Sequence, residues 1–394
     1  MARPVTGVHV TGWGAYAPSL VLRNVDLERM VDTNDEWIVS RTGISERRIA
    51  APDETTASMA AVAGLRAIAT AGLQPDDIDL ILVGTLSPDY VMPSTAALVK
   101  EAIGNKRAAA MDLYAACSGF VYGYATAHAY IASGMAKHVL VIGAETLSRY
   151  TDFSDRSTCI LFGDGAGAAV LSASDEPGGT LGMEMTTDPS GAYLIWLPGG
   201  GAARPATATS LASGEHYMKM KGTETFKMAV RTLGSTATAA VKKAGLDLSD
   251  VDLVVPHQAN NRIIEALAKS LDFPMAKVFV NVQRYGNTSA ASVPLALSEA
   301  VAAGRIKKGD RLLLVAFGSG LTSGAIMLQW TADPAAMARA AAIGPSDVRI
   351  QSGYLEPVNP FPPALQWLRD GTTPVRTVDT APTGAGPHTR GGMK

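Results

Sequence analysis

The sequence predicts an α/β protein built from two copies of one strand and helix unit. Alternation is the first observation: short apolar strands are separated by alanine-rich helices along most of the chain. Repetition is the second, because AGLQPDDIDL at 71–80 returns as AGLDLSDVDL at 244–253, and Ala71 thereby corresponds to Ala244. Each copy follows an alanine-rich helix and precedes an apolar strand, LILVGT or LVVPHQA. With 394 residues, 47% of them hydrophobic, the chain is long enough to bury one large core or two ordinary ones.

Taken in order, Val5 to Ala15 reads as a strand closed by glycines, and Asn24 to Ile44 as short helices and turns. Trp37 and Arg41 lie four apart there, so they share a helical face; they either sandwich an aromatic ring or pack as an ordinary Trp under an Arg stem. Thr56 to Ala71 is a small-residue helix, 71–79 a turn and Leu80 to Gly84 a buried strand. Met111 to Tyr114, Val139 to Ile142, Ser157 to Phe162 and Ala168 to Ser172 continue the apolar strands. Within MDLYAACSGFV at 111–121, Asp112 to Ala115 reads as the end of a buried strand, and Phe120 to Ser133 has helical spacing. Cys117 therefore falls at a helix start, where unpaired amides and the helix dipole favour an anion, and its thiol is expected to ionise more readily than a free cysteine. A lone cysteine is by default a small buried hydrophobe, so a catalytic role for it requires partners.

The second half supplies them. VFVNVQRYGNTSAASVPLALSEAV repeats the strand, turn and helix around Cys117, with Asn287 falling close to the position that repeats the cysteine. SGMAKHVLVIGAE at 133–145 likewise resembles AGRIKKGDRLLLVAFGS at 303–319. Two such units packed face to face would bring corresponding strand ends together at a pseudo-twofold axis, which predicts one site for Cys117, His257, Asn287 and the loop after Phe317. His257 ends a buried strand in PHQANNR, and Asn287 sits in a glycine turn, RYGNTSAAS. Singly these are a structural histidine and a cap. Together with the cysteine they offer a nucleophile and two side-chain donors, the parts needed for acyl transfer through an enolate. FGSGLTSG at 317–324 adds backbone amides for an oxyanion hole.

FGDGAGA at 162–168 is expected to be a tight glycine turn between two strands, not a phosphate loop, because no helix follows it. Ser174 to Gly214, which includes PGGGAARPA, reads as a long surface loop linking the halves and bordering a tunnel, and Asp333 to Ala342 as a short helix. The Pro, Gly and Thr-rich remainder is expected to be loosely packed. The divisions are then 1–173 with the nucleophile, 174–332 with His and Asn, and a tail, 333–394. A formal net charge of −2 excludes a broad field for nucleic acid or anionic lipid. MARPVTGVHV has no apolar leader and no apolar run approaches the roughly 18 residues of a membrane span, so a cytoplasmic location is expected. The two cysteines, Cys117 and Cys159, form neither a disulfide framework nor a zinc quartet, and no metal is expected.

VDTNDEWIVSRTGI, AACSGF, the pair Asp155 and Arg156, FGDGAGAAVL, HQAN, YGNTSAAS and FGSGLTSG occur in an order by which the chain, from Val5 to Trp330, resembles the beta-ketoacyl-acyl carrier protein synthase III family of the thiolase superfamily. The resemblance implies a duplicated thiolase-like fold layered αβαβα, and decarboxylative Claisen condensation of an acyl-CoA primer with malonyl-acyl carrier protein to give 3-oxoacyl-acyl carrier protein. It makes Cys117 the acylated nucleophile, His257 and Asn287 the aids to malonyl decarboxylation, and the amides of Cys117 and Ser319 the oxyanion hole. Ser319 stands where the family commonly has glycine, a change that a backbone donor tolerates. The resemblance assigns Trp37, Arg41 and Arg156 to the coenzyme A nucleotide, with Thr33 and Asn260 on its path. Met92, Leu147, Phe162, Ile195 and Met218 fall at acyl-pocket positions, Met92 reaching the partner's pocket in a homodimer, while Lys227 and Arg262 match positions that receive the carrier protein. Acyl-CoA is a substrate, and no cofactor is implied.

A thiolase would carry a second cysteine in FGSGLTSG, which has none, and a hydroxymethylglutaryl-CoA synthase a further glutamate without an evident match. A degenerate partner subunit is opposed by the presence of Cys117, His257 and Asn287 together. A secondary-metabolism synthase condensing longer acyl units stands as the alternative.

Overall fold

The computed structural model describes residues 6–348 and 361–372. Its first sheet contains strands β1 (Gly7–Tyr16), β2 (Leu80–Gly84), β3 (Ala109–Leu113), β4 (His138–Thr146) and β5 (Asp164–Ser174), in the order β1-β5-β4-β2-β3. The second contains β6 (Thr180–Thr187), β7 (Leu253–Pro256), β8 (Arg311–Gly318) and β9 (Thr322–Gln329), in the order β7-β8-β9-β6. In both, two parallel strands are extended by an antiparallel pair: β2 and β4 followed by β5 and β1, β7 and β8 followed by β9 and β6.

The helices that matter to the site are α1 (Asp35–Thr42), α2 (Thr56–Ala71), α3 (Thr95–Ala102), α4 (Gly119–Ala132), α5 (Gly222–Lys243), α6 (Asn261–Ser270) and α7 (Ser292–Ala302). A surface helix needs one apolar stripe, whereas α4 and α7 are apolar almost all round because both sheets bury them. Phe120, Val121, Tyr124 and Ile131 of α4 share one core with Val293, Leu297 and Val301 of α7 and with strand residues of both sheets, such as Val141 and Leu314. Helix α2 covers the outer face of the first sheet, and α5 and α6 that of the second. The result is the αβαβα layering that the resemblance implies.

The duplication keeps its register in space. Leu80 and Leu253 start corresponding strands, as do His138 and Arg311, and Gly119 and Ser292 start corresponding helices, all at one constant offset. The same register pairs Cys117, two places before Gly119, with Ala290, two places before Ser292. Asn287 therefore lies three places ahead of the cysteine's true counterpart, and the sequence correspondence between the two is only approximate.

Four local expectations are corrected. Ser157 to Phe162 is not a strand: Asp155 caps a helical turn, Arg156–Cys159, by accepting from the Ser157 amide at 2.9 Å. FGDGAGA is not a turn either, because β5 begins at Asp164 and runs through it. Strand β3 is half-buried at a sheet edge instead of fully buried. Part of the expected linking loop, Thr180–Thr187, is the edge strand of the second sheet, where Thr322 pairs with Thr187.

In the tail, Asp333 to Ala342 supplies a 3-10 helix, Pro334–Ala340, and the described part is packed, with Ala340, Phe361 and Leu365 buried. The expectation of a loose extension for 349–360 and 373–394 lies outside the described residues.

Glycine is required where the halves meet. A Cβ on Gly143, in β4, would stand 2.1 Å from the Ala290 carbonyl oxygen, just before α7. Gly143→Ala is therefore expected to cost about 3 kcal/mol through forced separation of packed backbone. Gly104→Ala, with nothing within 4 Å but φ at +74°, should cost only about 1 kcal/mol of left-handed strain. Urea unfolding midpoints of the two variants would check the difference.

Candidate active site

Strand β3 hands the chain to a 3-10 turn, Ala116–Ser118, and this turn leads into α4. Ala116 holds φ at +46°, and Ser289, in the corresponding turn before α7, holds +48°. A side chain in this region is strained, and such strain persists where surrounding structure over-determines it. The two turns present Cys117 and Ser289 to one cavity of about 630 Å³, which also receives His257, Asn287 and Ser319.

Each polar side chain is oriented by a neighbour. His257, buried at the end of β7, places Nδ1 2.6 Å from the Ser292 hydroxyl. The Gln258 amide, which can only donate, lies 3.4 Å from the same oxygen. The Ser292 hydroxyl can point its proton at Nδ1, and in that tautomer the ring proton is on Nε2. Burial holds the imidazole down to about 3, so it is neutral throughout the physiological range. The side-chain oxygen of Asn287 accepts from the Ser289 amide at 2.9 Å, leaving the NH2 group as its cavity-facing donor. Asn287 itself is pinned by two backbone bonds, its N–H to the Leu161 carbonyl at 2.8 Å and its carbonyl from the Gly163 N–H at 3.1 Å. Here lies the reason for glycine at the start of that segment: a Cβ on Gly163 would sit 2.2 Å from the Tyr285 carbonyl oxygen.

The turn after β8 closes on the nucleophile. A Cβ on Gly318 would stand 2.6 Å from the Cys117 nitrogen, and the Thr322 hydroxyl donates to the Ala115 carbonyl at 2.8 Å. This brings the backbone of Gly318, the residue before Ser319, against the Cys117 amide, while the Ser319 hydroxyl donates to the Ile195 carbonyl.

Sequence reasoning missed Glu145. Its fully buried carboxylate accepts from the Thr85 hydroxyl at 3.1 Å, the Leu86 and Ser87 amides at 3.1 Å each, the Ser87 hydroxyl at 2.5 Å and the Ser289 hydroxyl at 2.9 Å. The available signal was a single acid ending the otherwise apolar strand HVLVIGAET. Burial pushes Glu145 up to about 7 despite these donors. It also acts on the cysteine. Burial is the main cause that pushes the Cys117 thiol up to about 12; the Ser289 hydroxyl opposes the rise and the Glu145 charge adds to it. The expectation of eased ionisation is thus reversed, because desolvation and a nearby carboxylate outweigh the amides of the helix start. The Cys117 thiol is therefore neutral at rest.

Of the other expected residues, Leu147, Phe162 and Met218 form a buried apolar cluster with Ile195 packed against it, all lining the cavity. Trp37, Arg41, Asn260, Lys227 and Arg262 also line it. Arg156 does not, but its guanidinium carbon stands 4.9 Å from the centre of the Trp37 ring, with that of Arg41 at 6.0 Å. The aromatic-clamp alternative for Trp37 therefore has its cations in place. Arg156 also donates to the Asp32 carbonyl at 2.8 Å. The Thr33 hydroxyl, next to Asp32 in the chain, is buried without a partner. The side-chain oxygen of Asn260 caps α6 by accepting from the Ile263 amide at 2.9 Å. Met92 stands apart, 86% exposed.

Models of 3-oxoacyl-[acyl-carrier-protein] synthase III and of its C-terminal part match residues 111–189 and 241–330. A beta-ketoacyl-[acyl-carrier-protein] synthase III of Desulfitobacterium hafniense is 52% identical over 327 residues, 83% of this chain and 99% of that protein. The chain belongs to the beta-ketoacyl-[acyl-carrier-protein] synthase III family. The crystal structure of 3-oxoacyl-[acyl-carrier-protein] synthase III from Aquifex aeolicus VF5 is similar too, at 48% identity with a TM-score of 0.76, covering 82% of this chain and all of that one. So is the priming beta-ketosynthase from the R1128 polyketide biosynthetic pathway, at 35% identity and a TM-score of 0.79, covering 85% and 99%. This synthase III member is thus of the condensing-enzyme class that its motifs led one to expect.

The raised thiol sets a pH signature. Alkylation of Cys117 by iodoacetamide should keep accelerating past pH 9, without the plateau of an ordinary cysteine near 8.5. Removing the neighbouring negative charge in Glu145→Gln should lower the thiol pKa and speed labelling at pH 8, measured by intact-protein mass.

Proposed function

We propose that the enzyme accepts the acyl group of an acyl-CoA on Cys117 and then condenses it with malonyl-acyl carrier protein, releasing carbon dioxide and 3-oxoacyl-acyl carrier protein. It is an acyltransferase of the condensing type, and the synthase III names of relatives at 47–52% identity favour initiation of fatty acid synthesis over the secondary-metabolism alternative. The observation that carries the site assignment is the convergence of a thiol, a neutral imidazole and a carboxamide on one apolar-walled cavity.

In the first half-reaction sulphur attacks the thioester carbonyl as the thiol gives up its proton, and the backbone donors of Cys117 and Ser319 receive the developing oxyanion; collapse breaks the bond to coenzyme A, whose departing thiolate takes up that proton and leaves as free coenzyme A. In the second, loss of carbon dioxide builds negative charge on the malonyl thioester oxygen. His257 Nε2–H and the Asn287 NH2 stabilise that enolate without presenting a permanent cation, so they favour the charged intermediate over the neutral thioester carbonyl. The enolate carbon then attacks the acyl-cysteine and sulphur departs. No separate cofactor enters this sequence.

Trp37, Arg41 and Arg156 would hold the nucleotide of the primer, with Thr33 and Asn260 along its path, and Lys227 and Arg262 at the mouth would meet the acidic carrier protein. A homodimer is supported by the half-buried edge strand β3 and by the exposed apolar group of Tyr90, Val91, Met92 and Tyr114. In such a dimer Met92 would reach the partner's acyl pocket. A cytoplasmic location agrees with the finding that no helix among the described residues is long and apolar enough to cross a membrane.

Cys117→Ala should fold normally and take up no acyl group, and acylation of another residue to full occupancy would remove Cys117 from its role. His257→Ala and Asn287→Ala should still be acylated but lose malonyl decarboxylation by about 100-fold or more, the usual weight of an oxyanion donor. Ser292→Ala, which frees the imidazole tautomer, should cut decarboxylation by a smaller factor while leaving acylation intact. Intact-protein mass spectrometry and release of labelled carbon dioxide separate the two half-reactions.

Primer choice follows from the pocket wall. Met218, which lines the cavity, and Met92, which would enter it from the partner in the proposed homodimer, are unbranched and adaptable, so acyl groups longer or more branched than acetyl should be accepted, each buried methylene adding up to about 0.8 kcal/mol. Met92→Trp should shift preference toward acetyl in competition among acetyl-, isobutyryl-, butyryl- and octanoyl-CoA. Exclusive use of acetyl-CoA by the unaltered protein would contradict the pocket reading and leave the catalytic one intact.

A further inference from the structure

The tail extends beyond what this chain shares with its relatives. The Desulfitobacterium hafniense protein is matched almost end to end by 83% of this chain, and the C-terminal family model stops at residue 330. Beyond that point, the last described elements, a 3-10 turn, Pro363–Leu365, and a helical turn, Gln366–Asp370, pack on the first half.

Their place is specific. Phe361 and Leu365 are buried in a cluster with Leu22, Leu27, Ile38, Cys159 and Ile160, and Trp367 and Leu368 pack against it, as does Trp37. Ile38 is the neighbour of Trp37 on α1, while Cys159 ends the helical turn that Arg156 begins and Ile160 follows it. The tail thus joins the apolar cluster behind both elements that carry the Trp37 and Arg156 pair, whose ring centre and guanidinium carbon are 4.9 Å apart. Polar links also tie this region together, Arg156 to the Asp32 carbonyl at 2.8 Å and the buried Arg47 from its Nε to the Ile160 carbonyl at 3.1 Å. A ring inserted between Trp37 and Arg156 must separate them, and the apolar floor beneath decides how far they yield and where they come to rest. Close-packed side chains transmit such a displacement directly.

We propose that residues 361–372 are a buttress of the nucleotide clamp: by completing the floor under Trp37 and Arg156, they fix the spacing of that pair and so set the affinity for the nucleotide end of acyl-CoA. The proposal rests on the reading of Trp37, Arg41 and Arg156 as the nucleotide clamp. Leu365 is a positioning residue, acting through α1 and the Arg156 turn, and it has no part in the chemistry at Cys117.

The experiment compares acetyl-CoA with S-acetyl-pantetheine, which carries the same thioester without the nucleotide. In the full chain, Leu365→Asp places a charge in the apolar cluster and should expel the segment. The KM for acetyl-CoA should rise about tenfold, the scale of forfeiting one desolvated cation–π interaction. The kcat, and the kcat/KM for S-acetyl-pantetheine, should stay within about twofold of the unaltered enzyme, and Leu365→Met should retain the normal acetyl-CoA value. Trp367→Ala, at the rim of the cluster, gives a milder rise in the same direction and serves if the aspartate variant does not fold. An unchanged KM for acetyl-CoA overturns the buttress, as does an equal fall in kcat/KM with both primers, which would mark a general loss of structure. Trp37→Ala separates the two readings. If it leaves the acetyl-CoA KM unchanged, the clamp reading fails and the buttress with it; if it raises the KM while both tail variants do not, only the buttress fails.

Discussion

The structure depends on the close approach of two backbones at the pseudo-twofold axis. The carboxyl ends of β2 and β4 meet the turns that start α4 and α7 with no room for a side chain: a Cβ on Gly84 would lie 2.5 Å from the Gly119 carbonyl carbon, and one on Gly143 2.1 Å from the Ala290 oxygen. Because each half contributes a turn and helix start to this packing, a single geometry fixes both Cys117 and Ser289. The positive φ of Ala116 and Ser289 is the local cost of aiming both turns into the same cavity.

Duplication supplied the frame, and divergence within it supplied the chemistry. Cys117 and Ala290 are equivalent by register, yet one presents a thiol to the cavity and the other is buried packing. In the second half, His257 comes from the end of β7 and Asn287 from the glycine turn ahead of α7, so the thiol and the two side-chain donors reach the cavity from different halves. This separation suits the proposed two-step reaction, in which Cys117 is acylated before the carbanion forms.

The cavity's electrostatics favour neutral resting groups. Burial keeps His257 unprotonated and Cys117 protonated, and the charge of Glu145, itself held by hydroxyls and amides of Thr85, Leu86, Ser87 and Ser289, discourages a second anion beside it. A thiol kept neutral until a thioester is present is protected from oxidants and alkylating agents that need the thiolate. An imidazole kept neutral donates one hydrogen bond to a developing oxyanion without binding the ionised malonyl carboxylate as a permanent ion pair.

The duplicated α/β fold was legible because repetition and apolar periodicity are properties of the chain alone. AGLQPDDIDL and AGLDLSDVDL declare the repeat, and Cys117, His257 and Asn287 could be read from their positions at strand ends and glycine turns. Local texture misled where a residue's role is set from outside its segment. FGDGAGA looks like a turn by composition but forms strand because neighbouring backbones occupy the space its missing side chains leave. The helix-start cysteine is hard to ionise because its thiol is desolvated in the cavity and because the charge of Glu145, on the far side of α4 in the chain, is brought near it. The tail lacks a period long enough to register, yet two of its apolar residues find a cluster assembled from distant segments. Sequence by itself determined which main elements form and which side chains carry reactive groups, since both depend on short-range covalent order. Only the tertiary structure decided which further groups, Glu145 and Ser289 above all, stand around the predicted site, which groups keep their protons and what packs behind Trp37 and Arg156, because desolvation, charge proximity and packing act across space between residues far apart in the chain.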